Sequence, residues 1–175
     1  MLKENRKPIK LDIGGGTYKR GDEYTSVDIQ NADVIATMWE LPFKENSIDE
    51  IWSSHTLEHA PMVRVPITLK EWLRVLKPNA RAIISVPNFD YVAKYWLTGE
   101  DRGWAEAMVF GHQANDGEFH KCAFTGALLR ADLEGAGFVV KRIELRWSYN
   151  QETLQAVCIK PNGKMQENKK QSVEK

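Results

Sequence analysis

A short apolar run, Leu11-Asp12-Ile13, stops at three glycines, Gly14-Gly15-Gly16, and a second run, Ser26-Val27-Asp28-Ile29, carries an acidic residue at its end. Glycines let a backbone lie close against a ligand. A carboxylate at the end of the following strand can take both hydroxyls of a ribose. The pair therefore suits an adenosine-containing ligand, which leaves a nicotinamide or flavin nucleotide and S-adenosylmethionine. A nicotinamide site prefers G-x-G-x-x-G opening a helix. Here the third glycine position is Lys19, and no helix-length segment separates it from Tyr24. That disfavours an oxidoreductase.

Two further groups of residues could do chemistry. His55, Glu58 and His59 follow a strand-like run, Ile48 to Ser53, and Gly111-His112-Gln113-Ala114-Asn115-Asp116-Gly117-Glu118-Phe119-His120 is the densest polar stretch in the chain. Neutral histidine is a competent base near pH 7. Glu58 and His59 read as residues that satisfy the backbone of the next element, whereas His55 is placed to face a ligand. His112, Asp116, Glu118 and His120 are metal-ligand types on a loop, without a diagnostic spacing, and no metal is expected.

These residues need a frame, and strand-like and helix-like patterns alternate along the chain, as in an α/β domain with a mostly parallel sheet. Strands are predicted at Ile9–Ile13, Tyr24–Ile29, Asp33–Ala36, Ile48–Ser53 and Arg81–Val86. Val139–Trp147 and Thr153–Lys160 read as an antiparallel hairpin at the sheet edge. Helices are predicted from Pro66, with Leu69, Trp72, Leu73 and Leu76 on one face; over Tyr91–Leu97; and after Thr125. Glu100 to Ala123 reads as an irregular, aromatic-punctuated lid. Trp52 and Trp72 read as core, and Tyr91, Tyr95, Trp96 and Trp104 either as packing around the lid or as an aromatic floor for a ring-shaped acceptor. Only about ten residues, Gly14 to Glu23, join the first two strands. A parallel crossover normally needs a dozen or more, so one face beside the glycine loop should be thinly covered.

With 175 residues and 42% hydrophobic composition, the chain fits one domain with a real core, over residues 1–162. Residues 163–175 are expected to be a disordered basic tail. The formal charge is zero, but residues 1–10 carry +3 and 163–175 carry +2, leaving −5 on the body between them. A body of that sign argues against a nucleic-acid partner. There is no run of 18 apolar residues and no signal-like N-terminus. Cys122 and Cys158 lack a CxxC spacing and read as free thiols of a cytoplasmic protein without a membrane partner.

The ordered set Leu11-Asp12-Ile13-Gly14-Gly15-Gly16-Thr17, Val27-Asp28-Ile29, Leu41-Pro42-Phe43, Ile48 to His55, Leu57-Glu58-His59 and Glu71 to Pro78 resembles class I S-adenosylmethionine-dependent methyltransferases. Within them it resembles the small methyltransferase type 11-like group with a shortened first crossover. The resemblance spans about residues 9–160. It implies a single Rossmann-like three-layer domain, with a mostly parallel seven-stranded sheet and an antiparallel edge hairpin. It implies S-adenosylmethionine as cofactor, with Gly14, Gly15 and Gly16 against its amino-acid end and Asp12 orienting that loop or reaching the ammonium. Asp28 would take the ribose, Ile29 would pack on the adenine, and Met38 and Trp39 would cover its other face. Ser53, Ser54 and His55 would lie where methyl donor and acceptor meet. In the resembled group a Gly-x-Gln…Asp-x-x-x-His segment precedes the Phe-Thr of the last helix, matched here by Gly111, Gln113, Asp116, His120, Phe124 and Thr125. His120, helped by Asp116, is thus the expected base, with His55 as its competitor. The expected reaction is methyl transfer to a small-molecule or glycan-type hydroxyl. A non-catalytic cofactor-binding partner subunit is the rival reading, and a nucleotide-dependent oxidoreductase the weaker one. The sequence does not name the oligomeric state.

Overall fold

Seven strands form one sheet in the order β3-β2-β1-β4-β5-β7-β6 in a computed structural model that describes residues 6–162. The strands are β1 (Lys10–Ile13), β2 (Tyr24–Asp28), β3 (Val34–Ile35), β4 (Ile48–Ser54), β5 (Leu76–Pro87), β6 (Val139–Ser148) and β7 (Gln151–Ile159). The first five pair in parallel, and β7 inserts antiparallel between β5 and β6. This is the expected mostly parallel seven-stranded sheet with an antiparallel edge hairpin. The expected tail, 163–175, lies outside the described residues.

The strand order switches sides at β1, with β2 on one side of it and β4 on the other, both parallel to it. Open α/β sheets bind ligands beyond the carboxyl ends of strands at such a switch point. Helix α1 (Val65–Val75) covers the sheet with Val65, Leu69, Trp72 and Val75, spaced to bury one stripe. Trp72 is fully buried, and its indole Nε1 donates to Met38 O at 2.8 Å. Burying the indole without that bond would cost an unsatisfied donor. The same helix grips the Leu41-Pro42-Phe43 loop: Leu41 N donates to Glu71 Oε1 at 2.8 Å, and Arg74 donates to Phe43 O and Leu41 O at 3.0 and 3.2 Å. Core packing thereby fixes the backbone at Met38.

Four readings of the sequence change, the first being strand β5, which starts at Leu76 rather than Arg81 and so takes Leu76 from the helix face into the sheet. Residues 102–110, expected to be irregular, form helix α3 (Arg102–Phe110), capped by Asp101, whose side chain accepts from Trp104 N at 3.3 Å. Helix α2 (Phe89–Thr98) packs against it, and helix α4 (Gly126–Ala136) starts at its Thr125 cap as expected. Trp52 is not core. It is half-buried on the thin face, with the Arg20 guanidinium stacked 3.4 Å from its ring. The β6–β7 strands run farther than expected and meet in a two-residue turn, Tyr149-Asn150, with φ of 50° and 57°. Two positive φ values suit the twist of a hairpin.

The short crossover is as expected. Residues 14–23 contain turns and no helix, and Tyr18 is 94% exposed. No described helix is long and apolar enough to cross a membrane.

Candidate active site

The glycine loop follows β1 and is held from three sides. Gly14 N donates to Val27 O at 2.8 Å, Thr56 Oγ1 donates to Ile13 O at 3.1 Å, and Arg20 N donates to Asp12 Oδ2 at 2.7 Å. Gly14 has φ 83°, and a Cβ there would stand 2.0 Å from Thr56 Oγ1. Glycine is required by the backbone and by the contact alike. Asp12 is buried, which raises its carboxyl above the usual range, while the Arg20 amide bond pulls it down. Asp12 thus ties the end of β1 to the crossover at Arg20. A Cβ at Gly15 would meet Asp12 Oδ2 at 2.7 Å.

Asp28 ends β2. Its Oδ1 accepts from Ile29 N at 2.7 Å, and its Oδ2 would be 3.6 Å from a Cβ placed on Gly16. A carboxylate oxygen is therefore presented beside the glycine loop. Ile29 is 54% exposed at the same edge. Gly14, Asp28, Ile29 and Met38 line one wall of a cleft of about 230 Å³, and His55, His59, Asn115 and Glu118 line the other. Two further cavities adjoin at His55. One, of about 600 Å³, is lined by Asp12, Gly14, Gly15, Arg20 and Trp52; the other, of about 250 Å³, by Glu58, His59, His120, Tyr149 and Gln151.

Some expected residues are placed elsewhere. Ser53 is fully buried inside the sheet, so its hydroxyl is removed from the ligand-facing set, whereas Ser54 lines the largest of the three cavities. Trp39 lies under the Arg64 guanidinium, 4.8 Å from ring centroid to Cζ, while Met38 alone of that pair lines the cleft. Asp116 is exposed, and the carboxylate beside His120 is that of Glu58. Trp96 pairs with Phe110 rather than joining the expected floor; Tyr91, Tyr95 and Trp104 do gather, with Trp147 as a fourth ring.

The polar wall comes from three distant segments. His55 follows β4 with φ 53°, a conformation uncommon outside glycine. Its Nε2 lies 3.3 Å from Ser148 Oγ and 3.2 Å from Thr153 Oγ1. Its Nδ1 lies 3.5 Å from both Glu58 Oε1 and Gln151 Nε2. The Tyr149 ring stands edge-on to it at 4.9 Å. Glu58 is 1% exposed, and neither carboxylate oxygen has a hydrogen-bond partner; the His55 contact is a long ion-pair distance. Lys121 N and Cys122 N donate to Glu58 O at 2.8 and 3.2 Å, pinning residues 120–122 against the turn Leu57–His59. Burial lowers the pKa of His120, with the Glu58 charge opposing, so its imidazole is neutral near pH 7. Burial pushes the Cys122 and Cys158 thiols up to about 12, and both are free and inert.

The lid is ordered. Gly111 bridges to Phe119, and Asn115 Oδ1 accepts from Gly117 N at 2.9 Å. That turn sits over Ile29, whose Cδ1 would be 3.3 Å from a Cβ on Gly117. Thr56, Tyr149 and Gln151 belong to the site and carry no motif. Glu58 belongs to it as well, and its signal was the Leu57-Glu58-His59 tripeptide.

Residues 11–84 match a family described as a methyltransferase domain. The match runs from β1 into β5, so it is this part of the chain that is similar to a methyltransferase domain. The fold is similar to that of a SAM-dependent methyltransferase from Methanosarcina mazei, which superposes with TM-score 0.67, at 18% identity over 89% of this chain and 94% of that one. A methyltransferase of Haloferax volcanii, solved in complex with the Trm112 methyltransferase activator, superposes with TM-score 0.62, at 16% identity over 89% and 83%. The biotin biosynthesis bifunctional protein BioHC of Cellvibrio japonicus is 38% identical over 96 residues. That match spans 43% of this chain and 19% of BioHC, so the chain covers about a fifth of that relative. S-adenosylmethionine is the cofactor this family implies.

Proposed function

We propose that the domain transfers a methyl group from S-adenosylmethionine to the hydroxyl of a small molecule or glycan. The observation that carries this reading is the single cleft at the carboxyl ends of β1, β2 and β4. One wall offers Gly14, Asp28, Ile29 and Met38; the opposite wall offers His55 and His59.

The residues fit the cofactor. Asp28 Oδ2 is available to ribose hydroxyls, exposed Ile29 and Met38 offer apolar surface to a base, and the glycine loop has no side chain in the way. When bound, S-adenosylmethionine supplies an activated methyl group on sulfur. The chain's own part is to hold the acceptor in line, an effect worth several kcal/mol or more, and to take its proton. His55 is best placed for the second task, because it alone lines all three cavities. A proton arriving at Nε2, directly or through Ser148 Oγ, leaves an imidazolium whose Nδ1 faces the Glu58 carboxylate. His120 is the rival base, with Glu58 rather than Asp116 beside it.

Calorimetry with S-adenosylmethionine, S-adenosylhomocysteine and NAD side by side tests the reading. Saturable binding of the first two and none of NAD is expected. Binding of NAD in preference would overturn it.

A further inference from the structure

Glu58 poses a problem that methyl transfer alone does not solve. Its carboxylate is 1% exposed and both oxygens lack a hydrogen-bond partner. An ionised carboxylate buried without partners is costly, and such groups are normally paired or coordinate a metal. His55 Nδ1, at 3.5 Å, is too long for a good hydrogen bond.

We propose that Glu58, His59 and His120 bind one divalent first-row transition cation, of the zinc type. One ligand atom from each of the three lies within 4.8 Å of the others, so side-chain shifts of about 1 Å would bring them to the ~3.4 Å donor separations of a tetrahedral site. The rings are oriented for it. His120 Nδ1 lies 2.7 Å from Met108 O, and His59 Nδ1 lies 3.1 Å from Phe119 O. A ring nitrogen facing a carbonyl must carry the proton, so each Nε2 keeps its lone pair. Metal-ligating histidines almost always donate their other N–H to such a carbonyl, which fixes the tautomer. Two imidazoles and one carboxylate suit zinc and its neighbours, and three protein ligands leave a position open. Magnesium and calcium prefer all-oxygen sets. The pinning of Lys121 N and Cys122 N on Glu58 O brings the ligands together across some 60 residues of sequence.

The cation would stand in the wall shared by the cleft and the cavity beyond it, since His59 lines both. Its open position would polarise the acceptor oxygen while His55 takes the proton, with no change of oxidation state. That role rests on the methyltransferase reading; the binding itself does not.

The test is calorimetry of chelator-stripped protein with zinc and with magnesium, together with thermal melts and a parallel titration with S-adenosylhomocysteine. One equivalent of zinc should bind and raise the melting temperature, with magnesium at least about tenfold weaker. Glu58→Gln and His120→Asn should weaken zinc on the order of 100-fold, since even outer-shell partners of a metal carry ~10–100-fold. Glu58→Gln should also melt no lower than the parent when metal-free, because it removes an unpaired charge and keeps the volume. No saturable zinc binding, equal zinc binding by parent and both variants, or a preference for magnesium would each overturn the site. S-adenosylhomocysteine binding without zinc binding would sink the metal site alone; zinc without S-adenosylhomocysteine would sink the methyltransferase reading alone.

Discussion

The two walls of the cleft are built by different means. The Gly14–Asp28 wall is made mostly of backbone, by segments about fifteen residues apart, and is held by bonds such as Gly14 N to Val27 O and Arg20 N to Asp12. The His55 wall is made of side chains that converge from the end of β4, the turn after it, residues 118–122 and the β6–β7 hairpin. A backbone wall tolerates almost no added atoms, whereas a side-chain wall can lose one member and keep its shape. The first kind suits a ligand common to a whole family, and the second an acceptor that varies.

Substitutions on the two walls should therefore fail differently. The largest effect is expected from Gly14→Val. Its Cβ would overlap Thr56, and φ 83° disfavours any side chain. Binding of S-adenosylhomocysteine should be lost in calorimetry while circular dichroism still reports the sheet; retained binding would mean that the loop is only a turn. His55→Ala should come next, cutting turnover by about 10²–10⁴-fold, the usual contribution of a positioned base. Cofactor affinity should be unchanged, so the two walls separate in one experiment. Near-parental turnover there, with loss in His120→Ala, would move the base to His120.

Asp28→Ala should weaken cofactor binding by about 1.5–3 kcal/mol, the value of hydrogen bonds to a charged group. An unchanged dissociation constant would remove Asp28 from the ribose. The smallest effect is expected outside both walls. Arg20→Ala removes the guanidinium stacked on Trp52, worth about 0.5–1 kcal/mol at an exposed site. A denaturant melt should show that small loss, and cofactor affinity should hold because Asp12 bonds the Arg20 amide and not its side chain.

The same contrast governs what could be read in the sequence. The glycine loop and Asp28 were legible because each sits at the end of a strand whose apolar run announces it, and the short crossover was a matter of counting. The tripeptide Leu57-Glu58-His59 marked Glu58, but its burial without partners was not legible, because that environment is set by the distant residues 120–122 and by His55. Helix α3 was hidden for a related reason. Nine residues with Gly103 near the start form a weak helix alone. Trp104 packing on Tyr91 and Tyr95, and buried Ala105, supply its stability from another element. Trp52 was misplaced because an apolar residue inside a strand reads as core, and only the missing crossover helix leaves its ring open to Arg20. Ser53 and Trp39 carried the right spacing for ligand contact, but the pleat turns Ser53 inward and Arg64 occupies the Trp39 ring.

The order of the sheet also bears on how the protein is made. Strand β7, near the end of the described chain, inserts between β5 and β6, and its first residues Gln151 and Thr153, with Ser148 just before, surround the imidazole of His55. A nascent chain emerging from the ribosome can complete the glycine loop, β2 and β4 long before that hairpin exists. Until the hairpin docks, His55 lacks its Ser148, Gln151 and Thr153 partners and β5 has an open edge, so the His55 side of the cleft is finished only when the β6–β7 hairpin has left the tunnel.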